Sequence, residues 1–329
     1  MIIITGGAGF IGSNLAAKLQ EEGITDIVIC DMLGKDNKWK NFAKRELKDI
    51  VRPDALFEYM NGYKDKIDAI FHLGAVSSTT EYDADLVVNA NFVFSRNLWK
   101  WAANNDVPLF YASSYATYGD GSAGFEDDDT PEGLEKLLPL NPFGWSKHLF
   151  DRRIARIAQD KTEKMPPQWA GLKFFNAYGP NEYHMGSQQS VVSTLYPQIT
   201  VGASAKLFKS YNPEYKDGEQ KRDFVYVRDI VDVLYWFYKE KPKSGIYNIG
   251  TGEARSFNDL ANAIFGAVKM EPKISYIDMP DTLRDKYQYI TEASNAKLKA
   301  AGYDKPFTSL EDGVKDYIDN YLSQKDQYR

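Results

Sequence analysis

The chain has 329 residues, of which 43% are hydrophobic and 26% charged, and its net charge is -6. This length fits two domains or one large α/β domain with an appendage, and 14% aromatic residues argue against disorder. A single cysteine excludes a disulfide framework and favours a reducing, cytoplasmic compartment. The acidic balance argues against nucleic acid, and no apolar run reaches the roughly 18 residues of a membrane span.

Strand and helix patterns alternate along the first half of the chain. Apolar runs predict strands at 2–5, 26–30, 69–73, 108–113 and 169–175, and helical patterns cover 11–22, 85–104 and 141–160. This alternation predicts an α/β fold in which a doubly wound parallel sheet of the Rossmann type is covered by helices on both faces.

The pattern changes after about residue 176, where loop signals, a helix at 191–201 and a strand at 273–277 follow. Two more strand-like runs, 223–227 and 245–250, are predicted to return to the first sheet. We therefore predict a Rossmann domain of residues 1–175 plus about 223–250. A smaller, discontinuous α/β substrate domain would contain about 176–222 plus 251–329. The acidic run 126–129 is interpreted as a solvated loop.

A glycine-rich loop, TGGAGFIG at 5–12, lies between the first strand and the first helix. Gly6 allows the tight turn, Gly9 lets backbone approach a pyrophosphate, and Gly12 lets the helix pack close to the strand. The helix N-terminus then favours anions. A strand, a helix and a following acidic residue are all present, so the loop predicts dinucleotide binding.

The acidic residue is Asp31, at the end of the second strand, where a carboxylate would bind the ribose 2′-hydroxyl and favour NAD. Lys38 and Arg52 follow within reach of the same edge and could neutralise the 2′-phosphate of NADP. The alternative is that both are surface charges.

Two further motifs resemble the extended short-chain dehydrogenase/reductase superfamily. YASSYATYG at 111–119 follows the fourth strand, and NPFGWSK at 141–147 opens a helix. The superfamily uses a Ser, here Ser114, and a Tyr four residues before a Lys on one helix face. Here that Lys is Lys147, which by resemblance binds the nicotinamide ribose and lowers the pKa of the tyrosine.

Longer strings resemble the ADP-L-glycero-D-manno-heptose 6-epimerases over essentially the whole chain. They include FHLGAVSSTTE at 71–81, FFNAYGPNE at 174–182, KRDFVY at 221–226 and YQY at 287–289. The resemblance implies epimerisation at C6 of an ADP-heptose in lipopolysaccharide core biosynthesis, by transient oxidation and re-reduction with tightly bound NADP, or NAD. It also implies a homo-oligomer, commonly a pentamer.

The resemblance extends to individual positions. Besides the residues already named, it implies cofactor contacts from Phe10, Ile11, Met32, Leu73, Ala75, Ser77 and Asn91. It implies substrate contacts from Ser78, Asn176, Ser187, Phe208, Lys209, Ser210, Arg222 and Tyr287. Arg222 is the best pyrophosphate anchor, because a guanidinium can bind phosphate with two hydrogen bonds. Two alternatives stay open: Asn176 as a helix cap and Phe208 as a core residue.

The sequence departs from the family at both proton carriers. Phe143 replaces the tyrosine, and Met185 replaces a second acid/base lysine, so neither side chain can exchange a proton. The pattern indicates deliberate inactivation, with natural divergence as the alternative. Activity is therefore expected to be low. Ser114, Tyr115, Tyr178 and His184 are the groups that could substitute.

Two other functions compete with this interpretation. One is a related nucleotide-sugar 4-epimerase or dehydratase, and the other is a non-catalytic protein that binds NADP or a nucleotide-sugar. His72 and His148 are interpreted as packing residues. The three histidines and one cysteine show no metal-ligand spacing, so no metal site is predicted.

Overall fold

The structure is a computed structural model that describes residues 1–284 and 287–329. Asp285 and Lys286, part of a charged stretch beginning at Arg284, lie outside the described residues. The strands are β1 (Ile2–Thr5), β2 (Ile27–Cys30), β3 (Asp49–Val51), β4 (Ala69–His72), β5 (Leu109–Ser114), β6 (Trp169–Phe174), β7 (Asn176–Tyr178), β8 (Ala205–Phe208), β9 (Lys221–Tyr226), β10 (Gly245–Ile249), β11 (Ala254–Ser256) and β12 (Ile274–Ile277).

The α-helices are α1 (Phe10–Glu21), α2 (Leu56–Gly62), α3 (Ala84–Val88), α4 (Phe94–Asn104), α5 (Pro131–Glu135), α6 (Pro142–Asp160), α7 (Val191–Thr200), α8 (Val227–Glu240), α9 (Phe257–Val268), α10 (Asp281–Arg284), α11 (Ala296–Ala300) and α12 (Leu310–Tyr317). Short 3₁₀ turns cover Asn37–Phe42, Lys64–Lys66, Tyr115–Tyr118 and Tyr183–Gln188, and π-turns cover Asn89–Val93 and Ile318–Leu322. In the described part of the chain, no helix has the length and apolarity needed to cross a membrane.

Seven parallel strands form the main sheet, in the order β10-β6-β5-β4-β1-β2-β3. The apolar runs of the inner strands are buried on both faces, as in β1, where every residue is buried, whereas the edge strand β3 is exposed at Asp49 and Ile50. The chain moves outward through β2 and β3 on one side of β1, and through β4, β5 and β6 on the other. The predicted Rossmann-type α/β fold is therefore confirmed. The reversal beside β1 opens a crevice at the carboxyl ends of β1 and β4.

The helix pattern predicted for 85–104 is interrupted. Helices α3 and α4 are joined by the π-turn Asn89–Val93, which inserts an extra residue and rotates the side chains that follow. Helix α6 begins where it was predicted, because the Asn141 side chain accepts a hydrogen bond from the Gly144 amide at 2.8 Å and Pro142 occupies the first turn.

Two small sheets lie beyond the main one: β11-β9-β7 and β12-β8. They belong with a second apolar core formed by residues from α7, α9 and α12. The prediction that 223–227 returns to the main sheet is wrong. That run lies in β9, which pairs with β7 and β11, whereas the run at 245–250 does join the main sheet as β10.

The interpretation of 126–129 as a solvated loop holds for the exposed Glu126 and Asp128 but is wrong for Asp127 and Asp129. Asp127 is buried and accepts a hydrogen bond from the Asn248 amide at 2.9 Å. Asp129 accepts one from the Ile246 amide at 3.0 Å and forms a 2.8 Å ion pair with Lys297. These carboxylates satisfy amides on the open side of the edge strand β10, so they are part of the fold.

Candidate functional site

The glycine loop forms a cradle that only glycine can make. Gly6 has φ +67°, and a Cβ there would lie 2.5 Å from the Gly74 amide nitrogen. A Cβ on Gly12 would lie 2.2 Å from the Gly6 carbonyl oxygen. Gly9 is the N-cap of α1 and offers no side-chain cap, so the first amides of this helix remain available to an anion. These residues fit the pyrophosphate of a dinucleotide.

The ribose edge of the site is built on Asp31. Its Oδ2 accepts a hydrogen bond from the Ala8 amide at 2.9 Å, which ties the glycine loop to β2. Its Oδ1 accepts from the Met32 amide at 2.7 Å and from Lys38 Nζ at 2.6 Å. Lys38 therefore lies beside the carboxylate where a ribose would bind. Arg52, in contrast, is well exposed and pairs with Asp54.

One cavity of about 370 Å³ collects most of the predicted catalytic positions. It lies at the carboxyl ends of the central strands, where the strand order reverses. Of the residues singled out in the sequence, it is lined by Phe10, Ile11, Leu73, Ala75, Ser77, Ser114, Tyr115, Phe143, Lys147, Asn176, Tyr178 and Met185. The structure thus brings the glycine-loop helix, the 73–77 segment and the start of α6 around one space.

Lys147 is 5% exposed, and its Nζ donates a hydrogen bond to the Ala112 carbonyl at 2.8 Å. Burial lowers the pKa of Lys147 to about 8, and the Asp151 carboxylate one turn along α6 opposes this decrease. The Ser114 hydroxyl accepts a hydrogen bond from the Ala116 amide at 3.1 Å. Its own proton therefore remains for a ligand oxygen in the cavity.

Phe143 and Met185 both line this cavity. Phe143 lies one turn before Lys147 on α6, and Met185 lies in the turn Tyr183–Gln188 and packs against the second core. Both side chains are half-buried and neither can be ionised. The cavity therefore has the lysine of a dehydrogenase site but lacks a proton carrier at these two positions.

One titratable group in the cavity wall, Glu182, was not predicted from the sequence. This carboxylate is buried and accepts hydrogen bonds from the Gly179 amide and from the Ser190 amide and hydroxyl. Burial raises its pKa to about 7. Glu182 thereby holds the turn that carries Met185 against α7. In the sequence, Glu182 is a single glutamate within a loop motif, and nothing in that pattern predicts that its side chain is buried.

The substitute proton carriers differ in their surroundings. Tyr115 lines the cavity, and its hydroxyl accepts a hydrogen bond from the Asn176 side chain at 3.3 Å. Burial raises the pKa of Tyr178, and its hydroxyl has no hydrogen-bond partner among the described residues. His184 Nδ1 lies 3.1 Å from the Asn41 side-chain nitrogen, and burial lowers the pKa of His184.

A second cavity of about 250 Å³ contains Arg222 and Tyr287 and shares Tyr115 with the first. Arg222 is buried, its Cζ lies 4.8 Å from the centre of the Tyr287 ring, and its Nη1 donates to the Lys221 carbonyl at 2.7 Å. Within 1–284 and 287–329, its guanidinium forms no ion pair with a carboxylate. This positive charge therefore remains available to an anionic ligand.

Of the other predicted substrate residues, Asn176 lines the first cavity, whereas Ser78, Ser187, Phe208, Lys209 and Ser210 line neither cavity. Asn176 begins β7 and is not a helix cap; its Oδ1 accepts a hydrogen bond from Thr291 at 3.1 Å. Phe208 is half-buried at the end of β8, and Lys209 and Ser210 follow it, bound to Asp278 and Asp217. Ser78 lies in the loop after β4, and Ser187 is exposed beside Met185.

Asn91 was predicted to contact the cofactor, but its amide is buried in the π-turn and committed to protein groups. It exchanges hydrogen bonds with the backbone of Val76, at 2.8 and 2.9 Å, and donates to the Ser146 hydroxyl at 3.0 Å. In the described residues, no cluster of three or more His, Cys, Asp or Glu side chains could hold a metal ion.

The family model described as "NAD dependent epimerase/dehydratase family" matches residues 2–250. The chain belongs to this family. Members of the family are NAD dependent by that description, in agreement with the glycine cradle and the ribose edge.

Relatives that match over the full length show which members of the family this chain is similar to. The chain is 48% identical over 336 residues to the ADP-L-glycero-D-manno-heptose-6-epimerase of Fusobacterium nucleatum, covering 100% of both chains. It is 46% identical over 330 residues to the protein of the same name from Nitratidesulfovibrio vulgaris Hildenborough, again covering 100% of both. The family resemblance predicted from the sequence is therefore confirmed.

Solved structures show the same architecture. The crystal structure of Helicobacter pylori ADP-L-glycero-D-manno-heptose-6-epimerase superposes with a TM-score of 0.80 at 28% identity, covering 97% of this chain and 95% of that one. A UDP-glucose 4-epimerase from Thermus thermophilus in complex with NAD has a TM-score of 0.74 at 22% identity, covering 97% of each chain. The latter similarity shows the fold alone.

Proposed function

We propose that this chain has the site of an ADP-heptose 6-epimerase, binding NADP and ADP-glycero-manno-heptose, and that Phe143 and Met185 suppress its turnover. The observation that carries the proposal is the single cavity shared by Ser114, Lys147, Phe143 and Met185. The full-length similarity to the Fusobacterium and Nitratidesulfovibrio enzymes supports the choice of sugar.

Binding divides between two regions in this proposal. The cofactor would lie on residues 1–175 plus about 227–250, and the nucleotide-sugar on about 176–226 plus 251–329, because residues 221–226 form β9 of a smaller sheet. The Gly6–Gly12 cradle would hold the cofactor pyrophosphate, and Lys147 would bind the nicotinamide ribose. Arg222 would bind the substrate pyrophosphate, because its buried charge is not neutralised by a carboxylate in the described residues. The second cavity, where Arg222 lies beside Tyr287, shares Tyr115 with the first.

NADP is the favoured cofactor because Lys38 neutralises Asp31. An unpaired carboxylate would repel a 2′-phosphate, whereas the Lys38 ammonium at 2.6 Å offers a positive partner at the same edge. The exposed Arg52 is held by Asp54 and contributes less. Titrating the protein with NADP and with NAD would test the preference, and equal affinities would contradict it.

The chain's own groups would then act on the sugar. The Ser114 hydroxyl, whose proton is free, would donate a hydrogen bond to the C6 oxygen, and Lys147 would supply positive charge next to the reacting atoms. When bound, the nicotinamide supplies the hydride acceptor and donor for transient oxidation at C6. The C6 hydroxyl must also lose and regain a proton, and Phe143 and Met185 cannot carry it.

The magnitude of the impairment follows from these two positions. Each missing general acid or base typically costs about 10²–10⁴-fold in rate. The two losses need not multiply, because groups that act as a unit are not additive. We therefore expect cofactor and sugar to bind while C6 turnover is reduced by at least about 100-fold.

The deciding experiment measures C6 configuration in ADP-heptose by NMR. The unmodified protein is compared with the double variant Phe143→Tyr, Met185→Lys and with both single variants. Two further variants serve as controls, Phe57→Tyr and Met270→Lys, which add the same groups outside the cavity. We expect interconversion of the epimers by the double variant only. Equal activity in the unmodified protein would show that another residue transfers the proton.

A non-catalytic binding protein is the second candidate, favoured by the same two apolar residues. It would bind cofactor and nucleotide-sugar, and the double variant would remain inactive. If neither form epimerises ADP-heptose while both bind cofactor, UDP-sugars should be screened, because a related 4-epimerase or dehydratase then becomes the better assignment. The proposal also includes a homo-oligomer, with a pentamer expected, which light scattering of the purified protein tests directly.

A further inference from the structure

A buried chain of hydrogen bonds crosses the first domain beneath the cofactor cavity. Thr5 Oγ1 lies 2.6 Å from His72 Nδ1, and His72 Nε2 lies 2.7 Å from Ser95 Oγ. Ser95 Oγ donates in turn to the Asn91 carbonyl at 2.5 Å, and Thr5 Oγ1 accepts from the Gly74 amide at 3.3 Å. The three side chains are each 2% exposed, so water cannot replace these bonds.

Backbone groups at both ends, together with the neutral His72 ring, fix the direction of each hydrogen bond in this series. The Asn91 carbonyl can only accept, so the Ser95 hydroxyl donates its one hydrogen bond to that carbonyl. The Ser95 oxygen must then accept a hydrogen bond from His72 Nε2–H. With the proton of a neutral ring on Nε2, Nδ1 is an acceptor, so Thr5 Oγ1 donates to Nδ1 while it accepts from the Gly74 amide. Neutral His72 satisfies every member when Nε2 carries the proton.

Burial favours this neutral ring. The pKa of His72 is lowered to about 3, mainly by burial and further by the positive charge of Lys147. The Phe94 ring packs against the imidazole with 5.7 Å between ring centres. His72 therefore stays uncharged throughout the range in which an ordinary histidine titrates.

This series of hydrogen bonds ends at residues that hold the cavity lining. The Asn91 carbonyl accepts a hydrogen bond from Ser95, and the Asn91 side chain binds both the amide and the carbonyl of Val76. Its remaining donor bonds Ser146 Oγ, which donates to the Phe143 carbonyl at 2.7 Å. Leu73, Ala75 and Ser77, which flank Val76 in the sequence, line the cavity together with Phe143.

We propose that His72, as the Nε2–H tautomer, is a positioning residue that acts through Ser95 and Asn91 to set the 73–77 segment and the first turn of α6 against the cofactor. This role goes beyond the packing function expected from the sequence, and it rests on the proposed nicotinamide site. Asn91 then serves the cofactor through the backbone of Val76 and not by contact.

The tautomer can be measured on the unmodified protein. Labelling with ¹⁵N-histidine gives signals from three histidines, and His148→Leu and His184→Leu assign the remaining one to His72. We expect a protonated Nε2 and an unprotonated, hydrogen-bonded Nδ1 whose shifts stay constant between about pH 5 and pH 8. A proton on Nδ1, or titration in that range, would overturn the proposal. This readout does not depend on cofactor.

Cofactor affinity separates positioning from packing. His72→Gln keeps a donor near the Nε2 position, whereas His72→Asn keeps only an acceptor near Nδ1. We expect His72→Asn and His72→Leu to bind NADPH about tenfold more weakly, as for one lost buried hydrogen bond, and His72→Gln to stay within about threefold. His148→Leu is the matched control: its Nδ1 has no partner among the described residues, so affinity should not change.

Similar losses in His72→Asn and His72→Gln, at similar melting temperatures, would reduce His72 to a packing residue. If the unmodified protein binds no cofactor at all, the proposed function fails instead, and the tautomer measurement still decides the hydrogen-bond chain. The two failures are therefore distinguishable. Should a variant not fold, the spectrum of the unmodified protein remains the test.

Discussion

Replacing Gly12 by alanine tests the glycine cradle most directly. The added Cβ would lie 2.2 Å from the Gly6 carbonyl oxygen and 2.8 Å from the Gly7 Cα, and both are backbone atoms that cannot rotate away. An ordinary Cβ contact is 3.4–4 Å, so α1 and the loop must separate by about 1 Å or more. A misplacement of about 1 Å can lower a reaction rate about 100-fold, and we expect a loss of the same size in cofactor affinity because these amides would hold its pyrophosphate.

We therefore expect Gly12→Ala to weaken NADPH binding by about 100-fold, measured by fluorescence titration. Overpacking should also lower the free energy of unfolding by about 1–3 kcal/mol, measured by urea denaturation. Gly266 provides the matched control, since it lies exposed in α9 with nothing within 4 Å of an added Cβ. Gly266→Ala should stabilise the protein by about 0.5–1 kcal/mol and leave affinity unchanged.

The result that would refute this reasoning is cofactor affinity within about threefold of the unmodified protein for Gly12→Ala. The close approach of helix and loop would then not be required for binding. A comparable loss in Gly266→Ala would show instead that any change in stability reaches the site. Circular dichroism on both variants checks that the helices remain formed.

Three other changes test the charges around the cavity. Lys38→Ala should weaken NADP binding about tenfold and NAD binding far less, by calorimetric titration, because one charged partner of the 2′-phosphate is lost; equal losses would contradict the NADP assignment. Burial raises the pKa of Glu182 from 4.5 to about 7, so the folded state retains a proton that the unfolded chain releases, and stability falls by about 3 kcal/mol between about pH 5 and pH 8. Glu182→Gln should remove this slope in urea denaturation, and a persisting slope would assign it to another group. Asp151→Asn removes the negative charge that stabilises the Lys147 ammonium, so the pKa of Lys147 should fall below about 8. The pH above which cofactor affinity decreases should fall with it. An unchanged pH profile of affinity would show that Lys147 does not control binding.

The main sheet and the glycine loop could be predicted because their signals are local. A parallel strand buried on both faces reads as an apolar run, as at Ile2–Thr5, and the cradle is one contiguous string. Helix α6 was equally accessible, because Asn141 and Pro142 mark its start. Phe143 and Met185 were singled out only through the family resemblance. A phenylalanine or a methionine does not by itself indicate that a proton carrier is missing at its position.

Other features depend on partners far away in the sequence. An apolar run such as Lys221–Tyr226 predicts a strand but not which sheet it joins. Asp127 reads as surface charge until its bond to Asn248, 121 residues on, is known. The amide of Asn91 binds residues 15 positions before it and 55 positions after it, and a sequence pattern cannot specify such a network.

The acidic residues beside β10 have a consequence for self-association. An edge strand with open amides can pair with a strand of another molecule and extend the sheet from one molecule to the next. Here Asp127 and Asp129 occupy the amides of Asn248 and Ile246 that face outward. Growth of a continuous intermolecular sheet through these amides of β10 is thereby blocked.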